Sequence, residues 1–133
     1  GLSQAIWPGR LELMKPTLMI DGAHNNESIA VLTQLLEENY ADRDIEILFA
    51  AINTKPVDQM LSKLIQFGPV SVTTFDDFRA VQLDDYPSGY ERVQTYQEWL
   101  EQADLDNPKK LYLITGSLYF ITYVRKYILE EFI

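Results

Sequence analysis

Apolar residues are grouped along this chain in short blocks, and their spacing changes from block to block. Four blocks are brief and are bounded by Gly, Pro or polar residues, which predicts strands. They lie at residues 17–20, 45–52, 70–75 and 111–115. Between them, apolar residues recur at spacings of three and four, which predicts helices. The predicted helices begin at Asn25 or Asn26, Pro56, Tyr96 and Ser117.

Strands and helices therefore alternate along the chain, apart from a short mixed segment at residues 10–15 that predicts an edge strand or an arm. Such alternation is typical of a mostly parallel sheet with helices on both faces and right-handed crossovers. The predicted fold class is α/β, a Rossmann-like three-layer domain. Residues 76–89 break the pattern and predict a long loop with one helical turn.

The spacing also predicts which side chains face the core. In the second helix the inward set is Val57, Met60, Leu61, Leu64 and Ile65. In the last helix it is Leu118, Ile121, Val124, Ile128 and Phe132. In the strand at 70–75, one face carries Val70, Val72 and Thr74, and the other carries Ser71 and Thr73.

Polar residues come directly after the first and the last of these apolar strands. Asp21, Gly22 and His24 follow the strand at 17–20, and Gly116-Ser117 follows the strand at 111–115. In an α/β sheet, the carboxyl ends of the strands form the crevice in which ligands bind. The sequence therefore predicts one site to which both ends of the chain contribute.

Composition narrows the possible functions. The chain has 133 residues, of which 47% are apolar, and this suits one globular domain with a buried core. A formal net charge of −9 argues against non-specific binding to nucleic acid or to an anionic membrane. The absence of cysteine excludes disulfides and a thiolate metal site. Neither a membrane-length apolar run nor a signal-peptide pattern occurs, so we expect a cytoplasmic protein.

Two residues at the first strand tip are candidates for chemistry. Asp21 can accept a hydrogen bond from a ligand, or it can be a turn acid that faces water. His24, the chain's one histidine, can accept a proton or hold phosphate when charged, and it can equally be an exposed or capping residue. A lone histidine with no second ligand at metal spacing predicts no metal site.

Ser117 opens the last helix, where free backbone N–H groups favour an anion; the alternative is that it only caps the helix. Lys55, in the loop after the strand at 45–52, can pair with a carboxylate or phosphate, or it can be solvated. Arg10 and Arg79 lie in segments without periodicity, where a side chain can be aimed at a ligand. We expect Asp21, Lys55 and Ser117 to share one rim of the sheet.

Motifs that are missing also carry information. The chain has no G-x-x-x-x-G-K-[ST] phosphate loop, no G-x-G-x-x-G and no G-x-S-x-G. By itself it therefore has no known loop with which to hold and activate a nucleoside triphosphate. It begins with Gly1 rather than Met, which we interpret as the result of processing or cloning, or as a sign of a piece of a larger protein.

Three blocks of the sequence resemble the folylpolyglutamate synthase/dihydrofolate synthase family of the Mur ligase superfamily, in the family's order. They are Trp7-Pro8-Gly9-Arg10-Leu11-Glu12, Ile20-Asp21-Gly22-Ala23-His24-Asn25 and Thr115-Gly116-Ser117-Leu118-Tyr119-Phe120. The resemblance is to the family's C-terminal domain alone, so residues 1–133 are interpreted as that domain without the phosphate-loop domain that precedes it. The chain departs from the family at Lys55-Pro56, where Lys-Asp is frequent, and Phe78-Arg79-Ala80 resembles a short family element.

The resemblance implies an ATP-dependent ligase that joins L-glutamate to folate or dihydropteroate through an acyl phosphate, with Mg²⁺ ligands outside this chain. It implies that Arg10 contacts the ATP phosphates and that Asp21 binds the nucleotide and supports domain closure. His24 and Lys55 are the implied catalytic residues, with Lys55 and Ser117 holding glutamate carboxylates. The implied partners are these substrates and a missing ATPase domain, with no nucleic acid and no membrane, and the isolated domain is expected to be inactive.

Two other functions remain open from the sequence. One is a non-catalytic binding module of flavodoxin or receiver type, although the strand at 45–52 ends without the aspartate that a receiver needs. The other is the equivalent domain of a Mur ligase for peptidoglycan precursors, against which the Trp-Pro-Gly-Arg block favours the folate branch. The sequence does not distinguish dihydrofolate synthesis from polyglutamate extension.

Overall fold

The computed structural model describes residues 9–133, so Trp7 and Pro8 of the first block lie outside the described residues. Strands and helices alternate through this range, with one turn of 3-10 helix at Leu83–Asp85. The strands are β1 (Glu12–Lys15), β2 (Leu18–Asp21), β3 (Asp44–Phe49), β4 (Val70–Val72), β5 (Glu91–Arg92) and β6 (Lys110–Thr115). The helices are α1 (Asn26–Asn39), α2 (Val57–Leu64), α3 (Tyr96–Gln102) and α4 (Leu118–Glu131).

The strands form one sheet in the order β1-β2-β6-β3-β4-β5. β1 is an edge strand and runs antiparallel to β2, whereas the other neighbouring pairs are parallel. The last strand of the chain thus lies between the second and the third. Thr115 is paired with Asp21 on one side and with Phe49 on the other, so three strand tips end at the same edge.

Helices cover both faces of the sheet, as the alternation predicts. Buried residues of α1 and α2 share one core with Leu111 and Leu113 of β6, and α3 and α4 share the other with Tyr112 and Ile114. Successive side chains of a strand point to opposite faces, so a strand that is buried on both sides needs an uninterrupted apolar run. The fold class predicted from the sequence is confirmed.

The boundaries of β3 and β4 differ from the predicted ones, and β5 was not predicted. β3 ends at Phe49, because the backbone beyond it pairs with the loop that follows β4: Val81 N donates to Ala51 O at 2.9 Å, and Ile52 forms a bridge with Ala80. β4 ends at Val72, and Thr73 is fully buried, so the predicted alternation stops there. The sequence pattern also missed the two-residue strand β5.

Helix boundaries match the sequence pattern more closely, with three corrections. Leu118 and Ile65 are exposed rather than inward, and Pro56 lies at the N-cap of α2 rather than in its first turn. Leu118 is instead packed against Gly22, since a Cβ on that glycine would lie 2.2 Å from Leu118 Cδ2. Asn25, one of the two predicted N-caps, caps α1, and a reciprocal capping box joins it to Ser28.

Gly116, between β6 and α4, is required by its surroundings. Its φ of +126° is a conformation that side-chain-bearing residues rarely adopt, and a Cβ would lie 2.2 Å from Ala50 O. That carbonyl belongs to the backbone, which cannot rotate away as a side chain can. A glycine here therefore allows β6 to turn into α4 while lying close to the end of β3.

We expect Gly116→Ala to lower the free energy of unfolding by about 2–4 kcal/mol, because it combines backbone strain with a backbone clash. Gly89→Ala is the matched control: Gly89 also has a positive φ, +100°, but no atom lies within 4 Å of its Cβ position. Its cost should stay near 1 kcal/mol. Urea unfolding of both variants measures the difference, and equal losses would show that the approach to Ala50 carries no strain.

Candidate functional site

Of the cavities at the carboxyl edge of the sheet, two adjoin each other, and a third, of about 510 Å³, lies on the far side of Lys55 beside Asn53 and Asp85. The first, which we call the Arg10 cavity, is about 310 Å³ and is lined by residues that include Arg10, Asp21, His24 and Leu118. The second, the Lys55 cavity, is about 410 Å³ and is lined by His24, Lys55, Ser117, Leu118 and others. His24 and Leu118 line both, so the two cavities meet at these side chains.

All five residues selected from the sequence therefore lie along one edge, but they do not line one cavity. Arg10 and Asp21 belong to the first cavity, Lys55 and Ser117 belong to the second, and His24 belongs to both. The shared edge follows from the strand order, because β6 brings the β2 and β3 tips to either side of the Ser117 turn. Ligands bind at such an edge in open α/β sheets.

Asp21 is buried, with only 4% of its surface exposed, and both carboxylate oxygens accept backbone hydrogen bonds. Leu11 N donates to Oδ1 at 2.9 Å, and Ala23 N donates to Oδ2 at 3.1 Å. Burial raises the pKa of this carboxyl above its ordinary value, while the two hydrogen bonds and the nearby Arg10 charge act in the opposite direction. The carboxylate thus ties the arm before β1 to the loop before α1.

The arm that carries Arg10 has an unusual backbone. Gly9 and Leu11, on either side of Arg10, have φ values of +78° and +49°. Such a conformation costs a leucine about 1–2 kcal/mol and persists only where the surroundings impose it. Here Asp21 binds Leu11 N, and Glu12 Oε1 accepts from Gly9 N at 2.7 Å.

A further bond holds the base of the arm to the loop after β2: Gly22 N donates to Gly9 O at 2.7 Å. Glu12 is itself held by Arg125 of α4, whose Nε lies 3.0 Å from Oε1. The exposed Arg10 side chain therefore extends from a turn whose backbone is held by hydrogen bonds to Asp21, Glu12 and Gly22. Among residues 9–133, Arg10 forms no ion pair with a carboxylate; the ion pairs there are made by Arg79, Lys110 and Arg125.

His24 is oriented by its own loop. Its Nδ1 lies 3.0 Å from Gly22 O, and its backbone N donates to Ser28 Oγ at 3.0 Å. A neutral imidazole whose Nδ1–H donates to a carbonyl keeps Nε2 as its acceptor. Because His24 lines both cavities, this tautomer would place an acceptor on the residue where the two cavities meet.

Lys55 and Ser117 are presented by two different turns. The Lys55 turn is closed by backbone bonds, in which Lys55 N donates to Ile52 O at 3.3 Å and Val57 N donates to Lys55 O at 2.8 Å. Ser117 is 2% exposed, and its Oγ accepts from Tyr119 N at 3.1 Å, so it does cap α4. Its hydroxyl proton remains available for donation to a ligand.

The sequence reasoning missed one contact at this edge, between Arg79 and Tyr119. Tyr119, half exposed, lines the Lys55 cavity, and the Arg79 guanidinium carbon lies 4.1 Å from the centre of its ring. From the sequence, Arg79 was noted as a residue that could be aimed at a ligand and as part of the Phe78-Arg79-Ala80 element, and Tyr119 as a member of the third block. No spacing rule joins them, because the two are far apart in sequence.

The described residues do not fit a divalent metal site. Across residues 9–133, no group of three or more His, Asp or Glu side chains could hold a metal ion, and both oxygens of Asp21 are occupied by N–H donors. In the same range, the helices are too short or too polar to cross a bilayer.

Comparison with known proteins identifies the family of this chain. The profile of the dihydrofolate synthetase C-terminal domain family matches residues 10–87, more than half of the chain. The dihydrofolate synthase/folylpolyglutamate synthase of Bacillus subtilis is 34% identical over 137 residues, which cover 95% of this chain and 31% of that protein. This chain thus spans about a third of the length of that curated relative.

Solved structures give the same fold. A Mycobacterium tuberculosis folylpolyglutamate synthase complexed with ADP superposes with a TM-score of 0.77 at 24% identity, over 91% of this chain and 32% of that one. A Yersinia pestis bifunctional folylpolyglutamate synthase/dihydrofolate synthase with AMPPNP and Mn ion superposes with a TM-score of 0.79 at 15% identity, over 95% of this chain and 32% of that one. The resemblance inferred from the three sequence blocks is confirmed, and the chain belongs to the dihydrofolate synthetase C-terminal domain family.

Proposed function

We propose that residues 1–133 are the C-terminal domain of a longer, cytoplasmic ATP-dependent ligase that adds L-glutamate to folate or dihydropteroate. The single observation that carries this proposal is the pair of adjoining cavities that share His24. One is lined by Arg10, and the other is lined by Lys55 and by Ser117 at the N-terminus of α4. A ligase of this class must bring together two anionic substrates, and fixed cations and helix N-termini offset their repulsion.

The proposed reaction has two steps. ATP transfers its γ-phosphoryl group to the acceptor carboxylate, which gives an acyl phosphate and ADP. The glutamate amine then attacks the acyl carbon, the C–O bond to phosphate breaks, and an amide and inorganic phosphate are formed. The glutamate ammonium loses two protons on the way to the amide and keeps one N–H. His24 Nε2, on the residue shared by the two cavities, is the proposed acceptor of the first proton, and the departing phosphate takes the second.

Each cavity then has its own substrate. In the Arg10 cavity, the guanidinium of Arg10 contacts the ATP phosphates, since its planar fork matches phosphate oxygens. In the Lys55 cavity, the Lys55 ammonium and the Ser117 hydroxyl hold glutamate carboxylates, and the same lysine lowers repulsion from the acyl phosphate. Holding the amine against the acyl carbon is the domain's main contribution to the rate.

Asp21 supports nucleotide binding indirectly in this proposal. Its two oxygens are used by Leu11 N and Ala23 N, and it is almost inaccessible to solvent. It therefore fixes the turn that presents Arg10 and the loop that presents His24. The divalent metal that accompanies ATP is assigned to the preceding domain, because the described residues here lack a suitable cluster.

Arg10→Gln in the longer enzyme should lower kcat/KM for ATP by about ten- to a hundredfold, because one charged hydrogen-bonding partner of the phosphates is lost. The KM for glutamate should change much less. Arg43→Gln is the control: Arg43 donates to Lys110 O at 2.9 Å at the opposite end of the sheet. Steady-state kinetics on both variants tests the assignment, and equal effects of the two would remove Arg10 from the nucleotide site.

Asp21→Asn should reduce kcat/KM for ATP and also lower the free energy of unfolding by about 1–3 kcal/mol. An amide offers one acceptor and one donor group to two N–H donors, so either Leu11 N or Ala23 N is left without its bond. Chemical unfolding together with ATP kinetics measures both effects. Normal stability combined with weakened ATP binding would instead indicate direct contact between Asp21 and the nucleotide.

Lys55→Met and Ser117→Ala should each raise the KM for glutamate by about tenfold or more while leaving the KM for ATP nearly unchanged. Ser117→Ala also removes a helix cap, so Thr95→Ala serves as its control. Thr95 caps α3 by accepting from Glu98 N at 3.2 Å, away from the cavities. If Thr95→Ala changes glutamate kinetics as much as Ser117→Ala does, the effect comes from helix capping alone.

The domain assignment itself has a simple test. Purified residues 1–133 should release no phosphate from ATP in the presence of glutamate and dihydropteroate, whereas the longer enzyme should. Turnover by the short chain would contradict the proposal that the phosphate-binding loop and the metal ligands lie outside it.

A further inference from the structure

The proposed function gives no role to Arg79, which also lies at this edge. It lies in the loop between β4 and β5, and it contacts the two turns that present the Lys55 cavity. Through its backbone carbonyl, it accepts a hydrogen bond of 2.8 Å from Asn53 N, in the turn that carries Lys55. Through its side chain, it stacks on Tyr119, in the first turn of α4 after Ser117.

The guanidinium of Arg79 is held in one orientation by Asp77. Nε lies 3.0 Å from Oδ1 and Nη2 lies 2.8 Å from Oδ2, which is a bidentate pair, and the backbone N of Arg79 also donates to Oδ1 at 2.8 Å. These bonds lower the pKa of Asp77 to about 2, so the carboxylate stays charged at neutral pH. A planar cation fixed in this way can lie flat on an aromatic ring.

Tyr119 connects this contact to the cavity. Its ring lines the Lys55 cavity, and its backbone N donates to Ser117 Oγ. One turn further along α4, the Tyr123 hydroxyl donates to Asp76 O at 3.1 Å, so the loop is attached to the helix at two points. The loop that carries Arg79 thus joins the Lys55 turn to the Ser117 turn, which have no sequence proximity.

We propose that Arg79 is a positioning residue for the amino-acid substrate: stacked on Tyr119 and bound to Asp77, it fixes the spacing between the Lys55 turn and the Ser117 turn. The guanidinium itself need not touch glutamate, because Arg79 does not line either cavity among the described residues. This inference rests on the proposed function, since it assigns glutamate to the Lys55 cavity.

Three variants distinguish a positioning role of Arg79 from a role of its charge alone. Arg79→Lys keeps the positive charge but loses the bidentate fork and the plane that stacks on Tyr119. Tyr119→Leu keeps bulk but loses the aromatic face, whereas Tyr119→Phe keeps that face. If position matters, Arg79→Lys and Tyr119→Leu impair glutamate binding alike, and Tyr119→Phe impairs it less than Tyr119→Leu does.

The experiment measures KM and kcat for glutamate and for ATP in the longer enzyme. We expect Arg79→Lys and Tyr119→Leu each to raise the KM for glutamate by about three- to twentyfold, with the KM for ATP changed less than twofold or so. The double variant should be no worse than about the more severe single variant, because both remove the same contact. The matched control is Arg43→Lys, which alters an arginine 5.5 Å from the Tyr40 ring at the opposite end of the sheet.

The outcomes distinguish this inference from the proposed function. If Lys55→Met raises the KM for glutamate but Arg79→Lys and Tyr119→Leu behave like Arg43→Lys, the positioning role is wrong and the glutamate site stands. If Lys55→Met has no effect on that KM, the site assignment fails, and the inference fails with it. A wild-type KM for glutamate in Arg79→Lys would show that the charge alone is needed, and it would overturn the positioning role whatever Tyr119→Leu does. Should Arg79→Lys unfold the enzyme, the comparison of Tyr119→Phe with Tyr119→Leu decides the question.

Discussion

The parallel pairing of β6 with both β2 and β3 is the constraint on which the site depends. It aligns Thr115 with Asp21 and Phe49, so the turns after three strands leave the sheet at one edge. The close approach of Gly116 to Ala50 O is the local condition for this arrangement, because any side chain at that position meets backbone. If β6 lay at a sheet edge, Ser117 would be separated from either His24 or Lys55.

The carboxylates of Asp21, Glu12 and Asp77 at this edge bind backbone N–H groups and a neighbouring arginine. Asp21 and Glu12 together fix the turn around Arg10, and Asp77 fixes Arg79. Arg10, the cation proposed for the ATP phosphates, thus extends from a turn that is already held in place, which is the condition for electrostatic preorganisation.

Much of this molecule could be predicted from local sequence signals. Short apolar runs, spacings of three and four, and the caps Asn25 and Ser117 depend on neighbours within one helical turn, so they predicted the layers and most helix boundaries. The strand pattern placed Asp21, His24, Lys55 and Ser117 after strand ends, and the rule that ligand crevices form there predicted that they share one edge of the sheet. Family membership could be inferred because the three motifs are each short and continuous in one sequence.

The tertiary structure alone decided what each of these residues contacts. The bond between Asp21 and Leu11 N, the stacking of Arg79 on Tyr119 and the placement of Leu118 against Gly22 join segments that are distant in sequence. The burial of Thr73 and the early end of β3 likewise result from pairing with a loop that has no periodic pattern. Sequence periodicity reports which face of an element is apolar, but which segments meet across the sheet edge is set by strand order and chain packing, and that information is not local.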